Sequence, residues 1–351
     1  QTSIDYTAYY ETLPAELIDL ALEIEADRMV NAAFDPEETE SERTVIISER
    51  QGAENSPLFW LGEEVAAAAF RVHGYHHDII GDMTDLETMT RDDLYQHYQQ
   101  FYVPNNAIAV AVGAFDSEEL LARITDHYGD IPAGPQPDLF ARPEPPQSGE
   151  RRVCVERPGS TAFLQVAYHA PPATDDDWFA LNMLDSILSG PNSMGGGDVD
   201  NKTSRLYRAL VESEIAASVS GYLQPTIDPY LYDITMTVRD GRTLEEAEAT
   251  LYTEIERIRT EGVTQRELDR ARKQTRALFA YSTEGVTNQA FWLAFAESIA
   301  GCEWFETYLD RMAAVTVDDV QRVAQTILRP QNRVVGCFLP TDEEEFETEL
   351  C

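Results

Sequence analysis

Apolar residues recur at helical spacing through residues 14–34. Leu17, Leu20, Ala21 and Ile24 fall at i, i+3, i+4 and i+7, and Ile18, Leu22 and Met29 widen the stripe. Asp35 and Pro36 then open a second helix, a capping side chain followed by the one residue tolerated at the first helical position. Further helices are predicted over 61–72, over 90–102 between a Thr90 cap and the Pro104 break, and from a capping box at Asp116 and Glu119 to Tyr128. Two stretches read as strands: 4–12, with Tyr6, Tyr9 and Tyr10, and the apolar run 107–112.

The pattern changes over 131–150, where Pro132, Pro135, Pro137, Pro143, Pro145 and Pro146 make a semi-rigid linker and a natural domain boundary. Beyond it, 152–156 and 162–169 read as strands and 175–188 as a helix. A glycine-rich loop covers 189–200, a helix 203–212, and two strands lie within 219–238. Thr243 and Thr264 each open a long helix with a glutamate three residues on. Helices at 287–299 and 304–313 and an acidic tail at 342–349 complete the chain.

One pattern occurs twice. M-T-R-D-D-L…Y-V-P-N-N-A-I-A-V-A-V-G begins at Met89, and V-T-V-D-D-V…L-R-P-Q-N-R-V-V-G-C begins at Val315. Thr90 to Pro104 and Thr316 to Pro330 have the same spacing, and Asn106 matches Asn332; each copy reads as capped helix, proline break, strand. Two copies of one α+β unit therefore flank the linker, giving domains at 1–131 and 151–351 with the linker at 132–150. Aligning the helix opened by Asp35 with that opened by Thr264 puts Glu42 opposite Ala271 and Glu49 opposite Leu278. Glu42 and Glu49 are two helical turns apart, so both carboxylates leave one face. Such a pair is either a metal ligand with its orienting partner or a solvated acidic side, and its absence from the second copy points to a site in the first.

Composition narrows the partners. The 351 residues carry a net charge of −37 and only two lysines, Lys202 and Lys273, which argues against nucleic acid and anionic membrane surfaces and suggests a high-salt setting. No run approaches the ~20 apolar residues of a membrane span. Cys154 and Cys337 lie in apolar strand-like runs and read as core thiols, with Cys302 and Cys351 scattered. His73 and His77 have the i, i+4 spacing of a zinc helix, but Gly74 stops the helix and His76 stands where a catalytic glutamate would, so a packed loop is expected. Gly195–Gly197 with Lys202 lacks the glycine before the lysine of a phosphate loop, and Asp198, Asp200 and Asn201 complete no calcium loop. No nucleophilic serine or cysteine motif is present.

Several ordered blocks carry a family resemblance: T-S-I-D-Y-T-A-Y-Y from Thr2, E-R-T-V-I-I-S-E from Glu42, H-G-Y-H-H-D-I-I-G from His73, M-T-R-D-D-L and Y-V-P-N-N-A-I-A-V-A-V-G of the first repeat segment, and S-R-L-Y-R-A-L-V from Ser204. Together they resemble the pitrilysin/insulinase metallopeptidases, in the branch of bacterial proteins similar to mitochondrial processing peptidase. The resemblance implies an α+β fold of two homologous α/β-roll-like domains, mostly antiparallel sheet packed by helices, joined into a clamshell. It implies a zinc-dependent endopeptidase cleaving peptides or presequence-like segments, with Glu49 as a Zn2+ ligand and Glu42 the nearby supporting acid. Gln1 and Thr2 would end the edge strand that receives an extended peptide, and Tyr230 and Tyr232 would help line the opposite wall. The family's H-x-x-E-H helix, which supplies two zinc histidines and the catalytic glutamate, is not in this sequence; the chain begins inside a family strand. The expectation is a fragment of an active peptidase, inactive in this form. The alternative is a non-catalytic peptide-binding or scaffolding subunit that partners an active homologue; a homodimer, or a heterodimer with a homologous subunit, is expected on the side of assembly.

Overall fold

A computed structural model describes residues 1–135, 137, 141–191 and 202–342. The expected glycine-rich loop and acidic tail lie largely outside these residues. Contacts divide the chain into two compact units, neither contiguous in sequence. Unit 1 is Gln1–Gly52, Asp78–Ala141 and Thr283–Ser298; unit 2 is Ala53–His77, Arg142–Ser282 and Ile299–Cys351.

Unit 2 is built on a five-stranded sheet of order β1-β5-β2-β4-β3, formed by β1 (Arg151–Pro158), β2 (Phe163–Ala170), β3 (Ala216–Leu223), β4 (Tyr230–Val238) and β5 (Arg333–Thr341). β1 and β5 run parallel and the other neighbours antiparallel. One face is covered by α7 (Asp176–Leu188), α8 (Leu244–Glu261) and α12 (Val317–Ile327). Ten α7 residues are buried, among them Trp178, Phe179 and Leu184, so this helix is apolar nearly all round, as a central core helix must be. The Trp304 indole, on α11 (Cys302–Ala314), donates to the Ala173 carbonyl at 2.9 Å.

The other face receives a helix from the first half of the chain, α3 (Pro57–Ala69). Leu61, Val65 and Ala69 lie one turn apart on its buried side. They sit over Gly336 of β5, where a Cβ would come within 2.3 Å of Val65 Cγ2 and 2.8 Å of Leu61 Cδ1. A glycine there lets the helix close on the sheet. Fully burying the Leu61 and Val65 side chains contributes about 1.5–3 kcal/mol each before chain entropy is counted. The Arg151 guanidinium caps the far end, donating to the Ala68 and Ala69 carbonyls at 2.5 and 2.7 Å.

Unit 1 holds α1 (Ile18–Asn31), α2 (Pro36–Ala53), α4 (Met83–Thr88), α5 (Arg91–Phe101), α6 (Ser117–Tyr128) and most of α10 (Val286–Ile299). The duplication is visible in its side chains. Thr90 and Thr316 each form a capping box, with Asp93 and Asp319. The Asn106 amide donates to the Phe101 carbonyl at 2.9 Å, and the Asn332 amide to the Ile327 carbonyl at 3.0 Å, closing α5 and α12 identically. α2 has its counterpart in α9 (Gln265–Ser282), and both are 18 residues long. Arg43 of α2 pairs with Glu40 and donates to the Leu86 carbonyl at 2.6 Å; Arg272 of α9 pairs with Asp269 and donates to the Val315 carbonyl at 2.6 Å.

Two expected strands do not form. Residues 4–12 make only one isolated bridge, Thr2 to Thr7, within a tight reversal. Residues 107–112 are extended but outside any ladder, with Ile108 47% exposed. Their repeat counterparts are β4, paired on both sides by β2 and β3, and β5, paired by β1 and β2. A strand exists through its partners, and among the described residues these two segments have none. The thiols also depart from expectation. Cys154 and Cys337 are register partners on β1 and β5 and form a disulfide, an arrangement that sequence spacing alone does not reveal.

Candidate metal-ligand site on the acidic helix

Helix α2 starts as its sequence dictates. Asp35 Oδ1 accepts from the Glu37 and Glu38 amides at 2.9 and 3.2 Å, with Pro36 in the first turn. Phe34 reverses the chain just before it with a positive φ of 48° and packs on Tyr95 and Tyr98 of α5, while its carbonyl accepts from Arg91 Nε at 2.8 Å. Two arginines seven positions apart then fix the rotation of α2. Arg43 reaches the Leu86 carbonyl, and Arg50, only 4% exposed, donates to the Gly81 carbonyl at 2.7 Å.

Glu42 and Glu49 each precede one of these arginines and so leave the helix about 100° round from the anchored side. Both are exposed, and neither makes a hydrogen bond or ion pair among the described residues. In the second copy the same helix positions hold Ala271, which is buried, and Leu278, which is partly buried. One face of one helix design is apolar and covered in α9, acidic and open in α2.

A catalytic zinc needs three protein ligands and an open position. Among the described residues no group of three His, Cys, Asp or Glu side chains is placed to hold a metal ion. Glu49 offers a single carboxylate, so the described residues do not by themselves make a zinc site.

The other expected site residues are spread out. The Gln1 nitrogen donates to the Ala8 carbonyl at 3.0 Å, and the Ala8 amide returns to the Gln1 carbonyl at 2.8 Å, so Gln1 and Thr2 sit in a closed hairpin-like turn. Both belong to unit 1, with Glu42 and Glu49, whereas Tyr230 and Tyr232 belong to unit 2. Tyr232 is fully buried on β4, and its hydroxyl donates to Asp185 Oδ1 at 2.8 Å; burial and that carboxylate push its pKa well up. Tyr230 is partly buried, stacks on Phe70 with rings 5.7 Å apart and meets the edge of Tyr75.

The His73 loop packs rather than ligates. His73 Nδ1 accepts from the Tyr75 amide at 3.2 Å, which places the ring proton on Nε2, 3.3 Å from Asp228 Oδ2. The Tyr75 hydroxyl accepts from the Asp228 amide. Sequence reasoning missed Glu144, in the linker. Its Oε2 accepts from the amides of Arg71, Val72 and His73 at 2.9, 2.9 and 3.3 Å. Burial would raise its pKa, but these donors and Arg151 outweigh it and hold the carboxyl below its ordinary range. An acid within a proline run carries no spacing signal for such a role.

A duplicated α+β chain with an exposed acid pair on one copy only defines the class: a two-part protein whose halves differ on one helix face. The family models settle which. "Insulinase (Peptidase family M16)" matches residues 1–83, and "Peptidase M16 inactive domain" matches residues 88–275. This chain belongs to the M16 peptidase family. It is 26% identical to the mitochondrial-processing peptidase subunit beta of Dictyostelium discoideum over 97% of its length and 72% of that protein's. It is 25% identical to the zinc protease PqqE of Helicobacter pylori, over 92% of this chain and 72% of that one. A crystal structure of a protease from Helicobacter pylori shares the fold with a TM-score of 0.84 at 23% identity, covering 93% of this chain and 78% of that one. Among the described residues no helix is long and apolar enough to cross a membrane.

Proposed function

We propose that this chain is the peptide-handling body of a zinc endopeptidase of the processing-peptidase type, in which Glu49 supplies one metal ligand and Glu42 steadies the site. The observation that carries this is the asymmetry of the repeat: an exposed carboxylate pair with no partner among the described residues stands on α2 where α9 has Ala271 and Leu278. Two carboxylates two turns apart, about 10 Å along the helix axis, repel only weakly, so the pair is tolerated exposed and stands ready to meet a cation. The names of the similar proteins, a zinc protease and a processing-peptidase subunit, agree with a metal as that cation.

The remaining ligands and the general base would come from residues outside this sequence, so the 351-residue chain alone binds zinc weakly and does not cleave peptides. In this reading the metal, when bound, supplies an activated water, and the residues here have two tasks. Arg43 and Arg50 hold α2 in rotation so that Glu42 and Glu49 face outward. Gln1 and Thr2 of unit 1, and Tyr230 of unit 2, each contribute to peptide binding, with Tyr232 supporting Tyr230 from the core of unit 2. A second reading, a non-catalytic peptide-binding partner of an active homologue, is favoured by the reach of the inactive-domain model back to residue 88.

The test is zinc affinity and peptide cleavage measured on the natural full-length polypeptide beside Glu49→Gln. The proposal expects one zinc per chain and cleavage, both lost in the variant. Full cleavage by Glu49→Gln would remove Glu49 from the ligand set, and a zinc-free natural polypeptide that still binds peptide would establish the second reading.

A further inference from the structure

Helix α9 carries cations where a helix tolerates them least. Arg266, Arg270 and Lys273 fall at i, i+4 and i+7 within its first three turns and so leave one face. The positive end of the helix dipole disfavours cations there, and like charges at i and i+4 repel one another. A fourth cation joins them. Arg205 bridges Glu267 at 2.8 and 3.0 Å and donates to the Gly262 carbonyl at 3.2 Å, which fastens the turn Tyr207–Val211, with Arg208, beside the start of α9. Burial, with Arg208, Arg266 and Arg205 close by, lowers the Arg270 pKa against the pull of Glu267.

Arg208, Arg266 and Lys273 are exposed and Arg270 is partly buried, and none of the four side chains makes a hydrogen bond or ion pair among the described residues. That is unexpected in a chain with 63 acids against 26 lysines and arginines. Elsewhere arginines meet carboxylates: Arg152 meets Glu150 and Glu248, Arg257 meets Glu254 and Glu261, and Arg322 meets Asp177 and Asp319. The acids on this part of α9 are already engaged, Glu267 by Arg205 and Asp269 by Arg272 and Gln265. At the matching positions α2 has Glu37, Ser41 and Thr44, so the basic face belongs to the second copy alone. We propose that this face of α9, with Arg208 beside it, docks an acidic peptide segment in extended form. The spacing fits. Successive cations rise about 6 and 4.5 Å along the axis, alternate side chains of an extended peptide lie about 6.6 Å apart, and long arginine and lysine stems absorb the difference. At physiological ionic strength charges beyond about 8 Å are largely screened, so the patch acts locally against the net charge of −37. The surface is independent of the zinc reading, since docking needs neither metal nor cleavage.

The test is fluorescence anisotropy of labelled hexaglutamate with the natural full-length polypeptide at about 0.15 M sodium chloride, beside labelled hexaglutamine. Hexaglutamate is expected to bind and hexaglutamine not to. Arg266→Gln/Arg270→Gln/Lys273→Gln should weaken hexaglutamate binding by about tenfold or more. Arg123→Gln/Arg257→Gln/Arg322→Gln removes the same charge from ion-paired positions and should bind as the parent does. Should the first triple variant fail to fold, the single reversal Arg266→Glu, at an exposed position, is expected to weaken binding in the same direction. Absence of hexaglutamate binding, an equal loss in the charge-matched control, or capture of inorganic polyphosphate without hexaglutamate overturns the proposal. So does binding that emerges only in Asp198→Asn/Asp200→Asn, which would assign the patch to this chain's own acids.

Discussion

Replacing Gly336 with alanine tests the closeness of α3 to the sheet. In an open strand this substitution is favourable by about 0.5–1 kcal/mol, because alanine loses less backbone freedom on folding than glycine does. Here the new Cβ would lie 2.3 Å from Val65 Cγ2 and 2.8 Å from Leu61 Cδ1, both on a helix already held by Arg151 and the 71–73 amides. Overpacking of a well-filled core costs about 1–3 kcal/mol, so the sign reverses. For a unit of this size each kcal/mol moves the melting temperature by about 2–4 °C, and Gly336→Ala should melt roughly 3–10 °C lower. Val65→Ala alone should also destabilise, by leaving a cavity. Together the two changes should cost at least 0.5 kcal/mol less than their sum, since the alanine at 336 then occupies the space Val65 gave up. Circular-dichroism melts of the four proteins read this directly. A Gly336→Ala chain as stable as the parent, or a strictly additive double variant, would show that α3 does not sit as closely as described.

Other outcomes follow from single groups. Burial raises the Asp233 carboxyl to about 6, with its Gln165 hydrogen bond only partly offsetting. The folded state therefore keeps a proton that the unfolded chain loses near pH 4, and stability falls as pH rises from about 4 to 6, by at most about 3 kcal/mol and less as solvent screens the site. Asp233→Asn should flatten that part of the stability profile, and an unchanged slope would exclude Asp233 as its source. Thr316→Ala removes the α12 cap and should cost about 1 kcal/mol in a denaturant titration, with Thr90→Ala costing a similar amount at α5. With a net charge of −37, the chain should melt higher in molar sodium chloride than in dilute buffer, because salt screens its self-repulsion; a flat or falling melting temperature would contradict that.

Local chemistry was the part of the fold most open to sequence reasoning. Thr90 and Thr316 act on helix ends within three residues of themselves, so their pattern predicted the caps the structure shows, whereas Asn106 and Asn332 were legible only as a match in register and their closing of α5 and α12 emerged in the structure. Segments 4–12 and 107–112 have strand-like side chains, but a ladder needs partners, and composition does not say whether they are present. The helix predicted over 61–72 was legible as a helix, but nothing in its sequence named the sheet it packs on, so the place of α3 on β5 emerged only in three dimensions. Cys154 and Cys337 are 183 positions apart, and only the register of β1 with β5 brings them together. The site divides in the same way. The spacing of Glu42 and Glu49 was legible because a helix converts it into a shared face, whereas the anchoring of that face by Arg50 to Gly81 depends on a chain reversal 31 residues away.

The most direct test of the functional account is the zinc content of the natural full-length polypeptide, purified without chelator, as parent, Glu49→Gln and the control Glu37→Gln. The account predicts one zinc per chain in the parent and the control and little in Glu49→Gln. Full zinc occupancy in Glu49→Gln would contradict it.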